Sequence, residues 1–236
     1  MSISANYAKI RQEVPYEVTI VIAAKERTAD EIAEVIEAGA TDIGQNYVQE
    51  AIKVYNDLGD KAKKVKWHMI GYLQKNKINK ALSIFDCIQT VDSYEKAQAI
   101  NKRVPSSGRD KLPVFIEINI GNEDSKAGIK PAEHEPLEQY MEKLIIDVSK
   151  LEHLRVEGLM TMGPYSGDPE RLRPYFARTR KIFERIKTLN IPNVDLKFLS
   201  MGMSNSYKVA IEEGSNMIRI GTAIFGDRPS MGTRSL

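Results

Sequence analysis

The feature of this sequence that most limits its fold is a regular alternation of short apolar runs with amphipathic segments. The apolar runs have the length of buried strands, and the segments between them repeat apolar residues at the spacing of one helix face. Strictly alternating strands and helices imply a parallel sheet covered by helices. We predict eight strands, at residues 18–24, 41–45, 66–70, 87–91, 114–119, 156–161, 196–200 and 217–220.

Eight such units of about 26 residues each fit a closed (β/α)8 barrel of the α/β class. An open doubly wound sheet is the alternative, but no Gly-x-Gly-x-x-Gly motif follows the first strand. No linker divides the chain, so we expect a single TIM-type barrel domain over residues 1–236. Apolar residues from Ile3 to Val14 indicate an extra N-terminal helix, which we expect to cover one end of the barrel.

Two helix starts carry capping boxes, in which a polar side chain and a glutamate three residues later each bond the other's backbone N–H group. One box pairs Thr28 with Glu31, and the other pairs Asp92 with Glu95. We therefore predict helices that begin at these two positions.

The charge balance argues against nucleic acid or an acidic membrane as the main partner. Lys and Arg number 34 and Asp and Glu number 32, which leaves a formal net charge of +2. The basic stretch at residues 61–66 is better read as a solvated face than as an RNA site. The N-terminus has no signal-peptide pattern, and the longest apolar run, at residues 20–24, is too short to span a bilayer. We expect a cytoplasmic protein.

Disulfide and metal chemistry are not indicated either. Cys87 is the single cysteine, so no internal disulfide can form, and we expect a buried, apolar role for it. Histidine occurs at three scattered positions, His68, His134 and His153. Because these residues form no cluster at ligand spacing, we expect no metal site.

In a barrel, functional side chains follow the carboxyl ends of the strands. Lys25 comes directly after the small apolar residues that end the first strand. A lysine there starts inside the barrel mouth, where partial desolvation favours the neutral, nucleophilic amine needed for a Schiff base. The alternative is a solvated lysine that begins a loop. Asn46 and Asn119 are polar residues at the ends of two further strands.

The loops after strands 7 and 8 have the features of a phosphate site. Ser200, Gly202 and Ser204 precede one helix, and Gly221 and Thr222 follow Arg219 at the end of the last strand. Hydroxyls and unpaired N–H groups at a helix start bind anions, and barrels commonly hold phosphate after these two strands. The glycines could instead be turn residues only, and the residues leave both readings open.

Several long motifs in register resemble the pyridoxal phosphate homeostasis proteins, relatives of the N-terminal barrel domain of alanine racemase. The similarity runs from about Val18 to Gly226, most of the chain. The motifs that carry it are His68-Met-Ile-Gly-Tyr-Leu-Gln-Lys-Asn-Lys77, Asn119-Ile-Gly-Asn-Glu-Asp-Ser-Lys-Ala-Gly128, Gly158-Leu-Met, Leu199-Ser-Met-Gly-Met-Ser204 and Arg219-Ile-Gly-Thr-Ala-Ile-Phe-Gly226.

The resemblance implies a barrel that holds pyridoxal 5′-phosphate as an aldimine on Lys25. It also implies that Arg219 approaches the pyridine nitrogen and that Asn46 lies beside the ring. The phosphate-binding segments would be formed by Ser200, Gly202, Met203, Ser204, Gly221 and Thr222.

This sequence departs from the family pattern next to the lysine and on strand 2. Ala24 and Glu26 flank Lys25 where the family usually has Ser and Thr. Gln45 stands where the family has a glutamate, which removes one carboxylate from the barrel mouth. The lysine, the phosphate loops and the arginine are all retained.

The function implied is intracellular pyridoxal phosphate homeostasis, by buffering or delivering the cofactor without turnover. An arginine beside the pyridine nitrogen disfavours its protonation, which weakens the ring as an electron sink. Racemisation also needs a second base, which Tyr47, Tyr72 or Tyr165 would have to supply. The alternatives are a pyridoxal-phosphate-dependent amino-acid racemase and a Schiff-base aldolase. We expect a monomer whose partners are the cofactor and apo forms of cofactor-dependent enzymes.

Overall fold

The structure, a computed structural model, describes residues 2–123, 127–129 and 136–227. Its eight parallel strands pair in chain order and close into a barrel, with β8 hydrogen-bonded to β1. All eight predicted strands are confirmed, with ends that differ by at most two residues. The strands are β1 (Thr19–Ala23), β2 (Asp42–Gln45), β3 (Lys66–Met69), β4 (Cys87–Val91), β5 (Leu112–Glu117), β6 (Leu154–Met160), β7 (Val194–Ser200) and β8 (Met217–Ile220).

Helices form the outer layer of the barrel. Within the described ranges, seven α-helices lie between consecutive strands, one precedes β1 and one follows β8. No helix among these residues is long and apolar enough to cross a membrane. The helices are α1 (Ile3–Glu13), α2 (Ala29–Glu37), α3 (Val48–Leu58), α4 (Ile78–Leu82), α5 (Tyr94–Asn101), α6 (Leu137–Ser149), α7 (Arg173–Thr188), α8 (Tyr207–Glu212) and α9 (Thr222–Phe225).

One of the two predicted capping boxes forms. The Thr28 side chain accepts the Glu31 N–H, and the Glu31 side chain accepts the Thr28 N–H. At α5 the prediction is wrong by one residue, because Ser93 is the N-cap and accepts the N–H of Lys96. The Asp92 carboxylate instead pairs with the Lys96 ammonium at 2.7 Å, an interaction that the capping pattern does not reveal.

The N-terminal helix lies on the side of the barrel and not over one of its ends. It packs against α2 and α9, with Tyr7 Oη donating to the Gly39 carbonyl at 3.1 Å and Asn6 Nδ2 donating to the Ile224 carbonyl at 2.9 Å. Since α9 has only four residues, α1 covers a flank that a longer eighth helix would cover. The apolar face was therefore predicted correctly, but its location was not.

The barrel interior contains both apolar and polar side chains. Val21, Ile70, Cys87, Phe115, Met160 and Met217 form an apolar cluster of their own, separate from the larger core under the helices. Cys87 is buried as expected, and burial raises the pKa of its thiol well above its ordinary value. Because alternate residues of a strand point to opposite faces, every second residue at a strand end faces the barrel mouth.

Candidate functional site

A cavity of about 720 Å³ opens at the carboxyl end of the barrel. Its walls come from the ends of β1, β2 and β8 and from the loops after β6 and β7. Of the nine predicted site residues, seven line it: Lys25, Asn46, Met203, Ser204, Arg219, Gly221 and Thr222. Ser200 and Gly202 lie behind its wall, and both are buried.

Lys25 is half-buried at the rim of this cavity, two residues beyond the end of β1. The next residue, Glu26, has a positive φ of 62°, so the chain turns sharply away from the barrel there. The Glu26 N–H donates to the Glu50 carboxylate, which holds this turn. Burial raises the pKa of Glu50, and the Glu26 N–H and the Lys25 charge oppose that rise. The position of Lys25 is therefore set by the turn at Glu26 and by the hydrogen bond from Glu26 to Glu50.

Gln45, at the end of β2, hydrogen-bonds the backbone just after β1. Its Nε2 donates to the Ala24 carbonyl at 3.1 Å, a bond that the family's glutamate could not make when ionised. Gln45 Oε1 is buried and has no hydrogen-bond partner among the residues that the structure describes. The departure from the family pattern therefore adds a donor to the strand end that carries Lys25.

Asn46 is held by close packing of the backbone. A Cβ atom on Gly71 would lie 2.4 Å from the Asn46 carbonyl oxygen, so only glycine allows β3 to leave the barrel at this point. This contact explains the glycine in the motif that begins at His68. It sets the position of Asn46 at the cavity wall.

The loops after β7 and β8 meet at Ser204. Its Oγ accepts the N–H groups of Gly221 at 3.2 Å and Ala223 at 3.3 Å. Gly202 permits this approach, because it has a φ of +95° and a Cβ there would lie 2.6 Å from the Ala210 Cβ. Backbone N–H groups and hydroxyls are therefore gathered at one end of the cavity, a donor set that suits an anion.

Arg219 forms part of the cavity floor and is 4% exposed. Its Nη1 donates to Ser200 Oγ at 2.7 Å, and its Nη2 donates to the Thr161 carbonyl at 2.8 Å. Burial lowers the pKa of Arg219 to about 10, although the Glu117 charge acts in the opposite direction. The guanidinium therefore remains protonated at neutral pH. Ser200 contacts Arg219 and does not reach the cavity.

Other predicted polar residues lie away from the cavity. His68 is buried in the barrel interior, and the Asn119 side chain bonds the backbone of Glu123. His134 lies outside the described residues, as does part of the motif that begins at Asn119. Over the described ranges, no group of three or more His, Cys, Asp or Glu side chains could hold a metal ion.

The structure also brings to the cavity residues outside the nine predicted site residues, among them Tyr165, a candidate second base in the sequence analysis. Tyr165, Ser166 and Asn205 line the cavity. Asn205 Nδ2 donates to the Ser166 carbonyl at 3.2 Å, which connects the loop after β7 to the loop after β6. Arg27 is buried and donates to the Gly226 carbonyl at 2.7 Å, which ties the end of β1 to the segment after α9. The position of Tyr165 just beyond strand 6 was a usable signal, whereas nothing near Arg27 distinguishes it.

Sequence comparison places the chain among known proteins. The family described as "Alanine racemase, N-terminal domain" matches residues 1–229. A protein of Pasteurella multocida named "Pyridoxal phosphate homeostasis protein" is 34% identical over 238 residues, which cover 97% of this chain and 98% of that one. Proteins of the same name from Escherichia coli and Homo sapiens are 36% and 34% identical, covering 96% and 89% of this chain and 97% and 76% of their own lengths.

Solved structures agree with this assignment. PipY of Synechococcus elongatus with PLP bound has a TM-score of 0.85 and 29% identity, over 95% of this chain and all of that one. An alanine racemase of Clostridium difficile has a TM-score of 0.73 at 20% identity, and this chain covers 57% of it, so that likeness concerns the fold. This chain belongs to the pyridoxal phosphate homeostasis protein family.

Proposed function

We propose that this chain binds pyridoxal 5′-phosphate in the cavity at the carboxyl end of the barrel and serves in homeostasis of that cofactor. The observation that carries the proposal is that one cavity brings together an amine, a buried guanidinium and an anion-binding loop pair. These three features match the aldehyde, the pyridine nitrogen and the phosphate of the cofactor. The PLP-bound PipY structure supports the same assignment.

The donor set fits the cofactor group by group. Lys25 supplies the primary amine that an aldehyde condenses with, and its half-buried position limits its solvation. Ser204, Thr222 and the N–H groups beside them would hold the phosphate, with Gly202 shaping the loop. Asn46 would lie beside the ring. We assign Ser200 to the support of Arg219, since that contact already uses its hydroxyl.

Arg219 weakens the ring as an electron sink, but racemases also work with such an arginine, so the argument against turnover rests on the second base. When bound, the cofactor supplies a pyridine ring that stores negative charge best when its nitrogen is protonated. A protonated guanidinium at the cavity floor disfavours a second positive charge next to it. The residues of this chain would therefore hold the cofactor in a form that is poor at stabilising a carbanion.

The tyrosines considered as a second base support a role without substrate turnover. Tyr165 lines the cavity, but its side chain is 91% exposed, so nothing fixes it at a reacting atom. The Lys96 Nζ atom lies 4.0 Å from the centroid of the Tyr72 ring. Tyr47 is exposed, and neither Tyr47 nor Tyr72 lines the cavity. The racemase alternative depends on Tyr165, and the aldolase alternative depends on Lys25 acting without a cofactor.

Borohydride reduction followed by peptide mapping tests this proposal. Purified protein incubated with pyridoxal 5′-phosphate should absorb in the near-ultraviolet and visible range, and reduction should attach the cofactor to Lys25. Lys25→Ala should lose both signals and keep its fold, because the side chain leaves a strand end. The exposed Lys75 provides a matched control, since Lys75→Ala should keep both. A stable adduct on any other lysine would refute the assignment.

A further inference from the structure

A continuous chain of hydrogen bonds crosses the barrel interior from Arg219 towards the amino end. Arg219 donates to Ser200 Oγ at 2.7 Å, and Ser200 Oγ donates to Gln89 Oε1 at 2.8 Å. Gln89 Nε2 lies 3.0 Å from His68 Nδ1, and His68 Nε2 lies 2.8 Å from Asp42 Oδ1. All five residues are buried. We call Ser200, Gln89, His68 and Asp42 the interior relay.

The groups at the two ends fix the outer bonds, because Arg219 can only donate and the ionised Asp42 can only accept. Ser200 therefore accepts from Arg219, and in the structure its hydroxyl donates to Gln89 Oε1. Gln89 must then turn its oxygen to Ser200 and its nitrogen to His68. His68 accepts at Nδ1, which leaves its proton on Nε2, facing the Asp42 carboxylate. The tautomer of His68 thus satisfies both neighbours, since Gln89 donates to Nδ1 and Asp42 accepts from Nε2.

The interior relay connects the Arg219 cation to the Asp42 carboxylate. Burial raises the pKa of Asp42, but the hydrogen bond with His68 and the charge interactions outweigh it, so the pKa lies below its ordinary value. Asp42 also accepts a bond from the Thr41 hydroxyl at 2.7 Å. Hydrogen bonds that run in one direction polarise each other in a low-dielectric interior. The ionised Asp42 therefore stabilises the orientation of every hydrogen bond in the interior relay, and with it the orientation of the Arg219 guanidinium.

We propose that Gln89, His68 and Asp42 are positioning residues for Arg219, which hold its guanidinium and its charge at the cavity floor. None of the three lines the cavity, so their effect on a bound molecule must pass through Arg219. The expected effect on pyridoxal phosphate affinity rests on the proposed function. The expected tautomer of His68 does not, and it can be measured without the cofactor.

The experiment uses ¹⁵N NMR of histidine and arginine side chains in cofactor-free protein, where three histidines keep assignment simple. Wild-type His68 should carry a hydrogen on Nε2, bonded to Asp42, and should accept from Gln89 at Nδ1. In Gln89→Leu, Nδ1 of His68 loses the group that donates to it, so the His68 ¹⁵N signals should shift. The same variant interrupts the interior relay, so the ¹⁵N signals of the Arg219 guanidinium should broaden or shift.

Cofactor titration supplies the second readout. Gln89→Leu should bind pyridoxal phosphate about tenfold more weakly, because Ser200 and the Arg219 guanidinium are no longer held in one orientation. Thr179→Val is the control, since it removes a buried hydroxyl bonded to the Tyr175 carbonyl on α7, away from the cavity, and should change affinity less than about twofold.

Three results would overturn the proposal. The first is a wild-type His68 with its proton on Nδ1. The second is a His68 whose ¹⁵N signals are unchanged in Gln89→Leu. The third is a Gln89→Leu protein whose Arg219 signals and affinity match those of Thr179→Val. If wild type bound no pyridoxal phosphate, the proposed function would fail, and the NMR signals of His68 and Arg219 would still decide whether the interior relay exists.

Discussion

Replacing Glu117 by glutamine should stabilise the protein at alkaline pH. Glu117 ends β5 inside the barrel, where its side chain is buried and its Oε2 has no hydrogen-bond partner among the described residues. Burial, with a smaller contribution from the Asp92 charge, raises the pKa of Glu117 from 4.5 to about 7, against the opposing charges of Arg219 and Lys96. A rise of about 2.5 in the pKa, at about 1.4 kcal/mol per pKa unit, corresponds to about 3.5 kcal/mol.

The sign of this effect follows from proton binding. Between pH 4.5 and 7 the folded protein holds a proton on Glu117 that the unfolded chain has released, so stability falls as pH rises through that window. Glu117→Gln keeps the shape and removes the titration. The variant should match the wild type near pH 4.5 and exceed it by up to about 3.5 kcal/mol at pH 8.

Urea unfolding at several pH values from 5 to 8.5 measures this difference. Glu138→Gln is the control, because the hydrogen bond from Arg178 lowers the pKa of the half-buried Glu138 and the loss of that bond should not stabilise the protein above pH 5. A stability difference between Glu117→Gln and wild type that stays constant across this range would refute the reasoning. A variant less stable than wild type at pH 8 would refute it as well.

Three further predictions concern the cavity and its loops. Pyridoxal without its phosphate should bind at least about 100-fold more weakly than pyridoxal 5′-phosphate in a direct titration, because two charge-assisted bonds of about 1.5–3 kcal/mol each are lost. Incubation with L-alanine or L-serine should give no inversion above the rate of free cofactor by chiral chromatography. Deuterium exchange at the α-carbon that disappears in Lys25→Ala would instead favour a racemase. Gly202→Ala should lower the free energy of unfolding by about 1–3 kcal/mol through its strained φ and the overlap with Ala210, whereas Gly167→Ala, with no atom within 4 Å of the new Cβ, should change little.

The strands could be predicted because both faces of each one are covered, by helices outside and by side chains within. Buried parallel strands read as short, nearly continuous apolar runs, and this signal does not depend on distant residues. The seven cavity residues were accessible to the same reasoning, since a barrel brings its strand ends to one mouth. The location of α1 was not, because an apolar helix face does not specify which neighbour it packs against.

Ser200 shows where this reasoning ends. A hydroxyl at the end of a strand looks the same in sequence whether it faces a ligand or a buried cation, and here it contacts Arg219. The choice of Ser93 over Asp92 as the N-cap of α5 is similar, since both residues are good caps and the pairing of Asp92 with Lys96 decides between them. Each outcome depends on a partner supplied by the fold.

The interior relay depends on closure of the sheet itself. Gln89 lies on β4 and Ser200 lies on β7, three strands apart. In an open sheet with the same strand order, three spacings of about 4.8 Å would separate them by about 14 Å, too far for a hydrogen bond. The Ser200 hydroxyl nevertheless lies 2.8 Å from Gln89 Oε1, because the closed barrel turns these side chains towards a common axis. Closure therefore does more than bury apolar surface, since it joins polar residues of separate strands into one path that ends at the cavity.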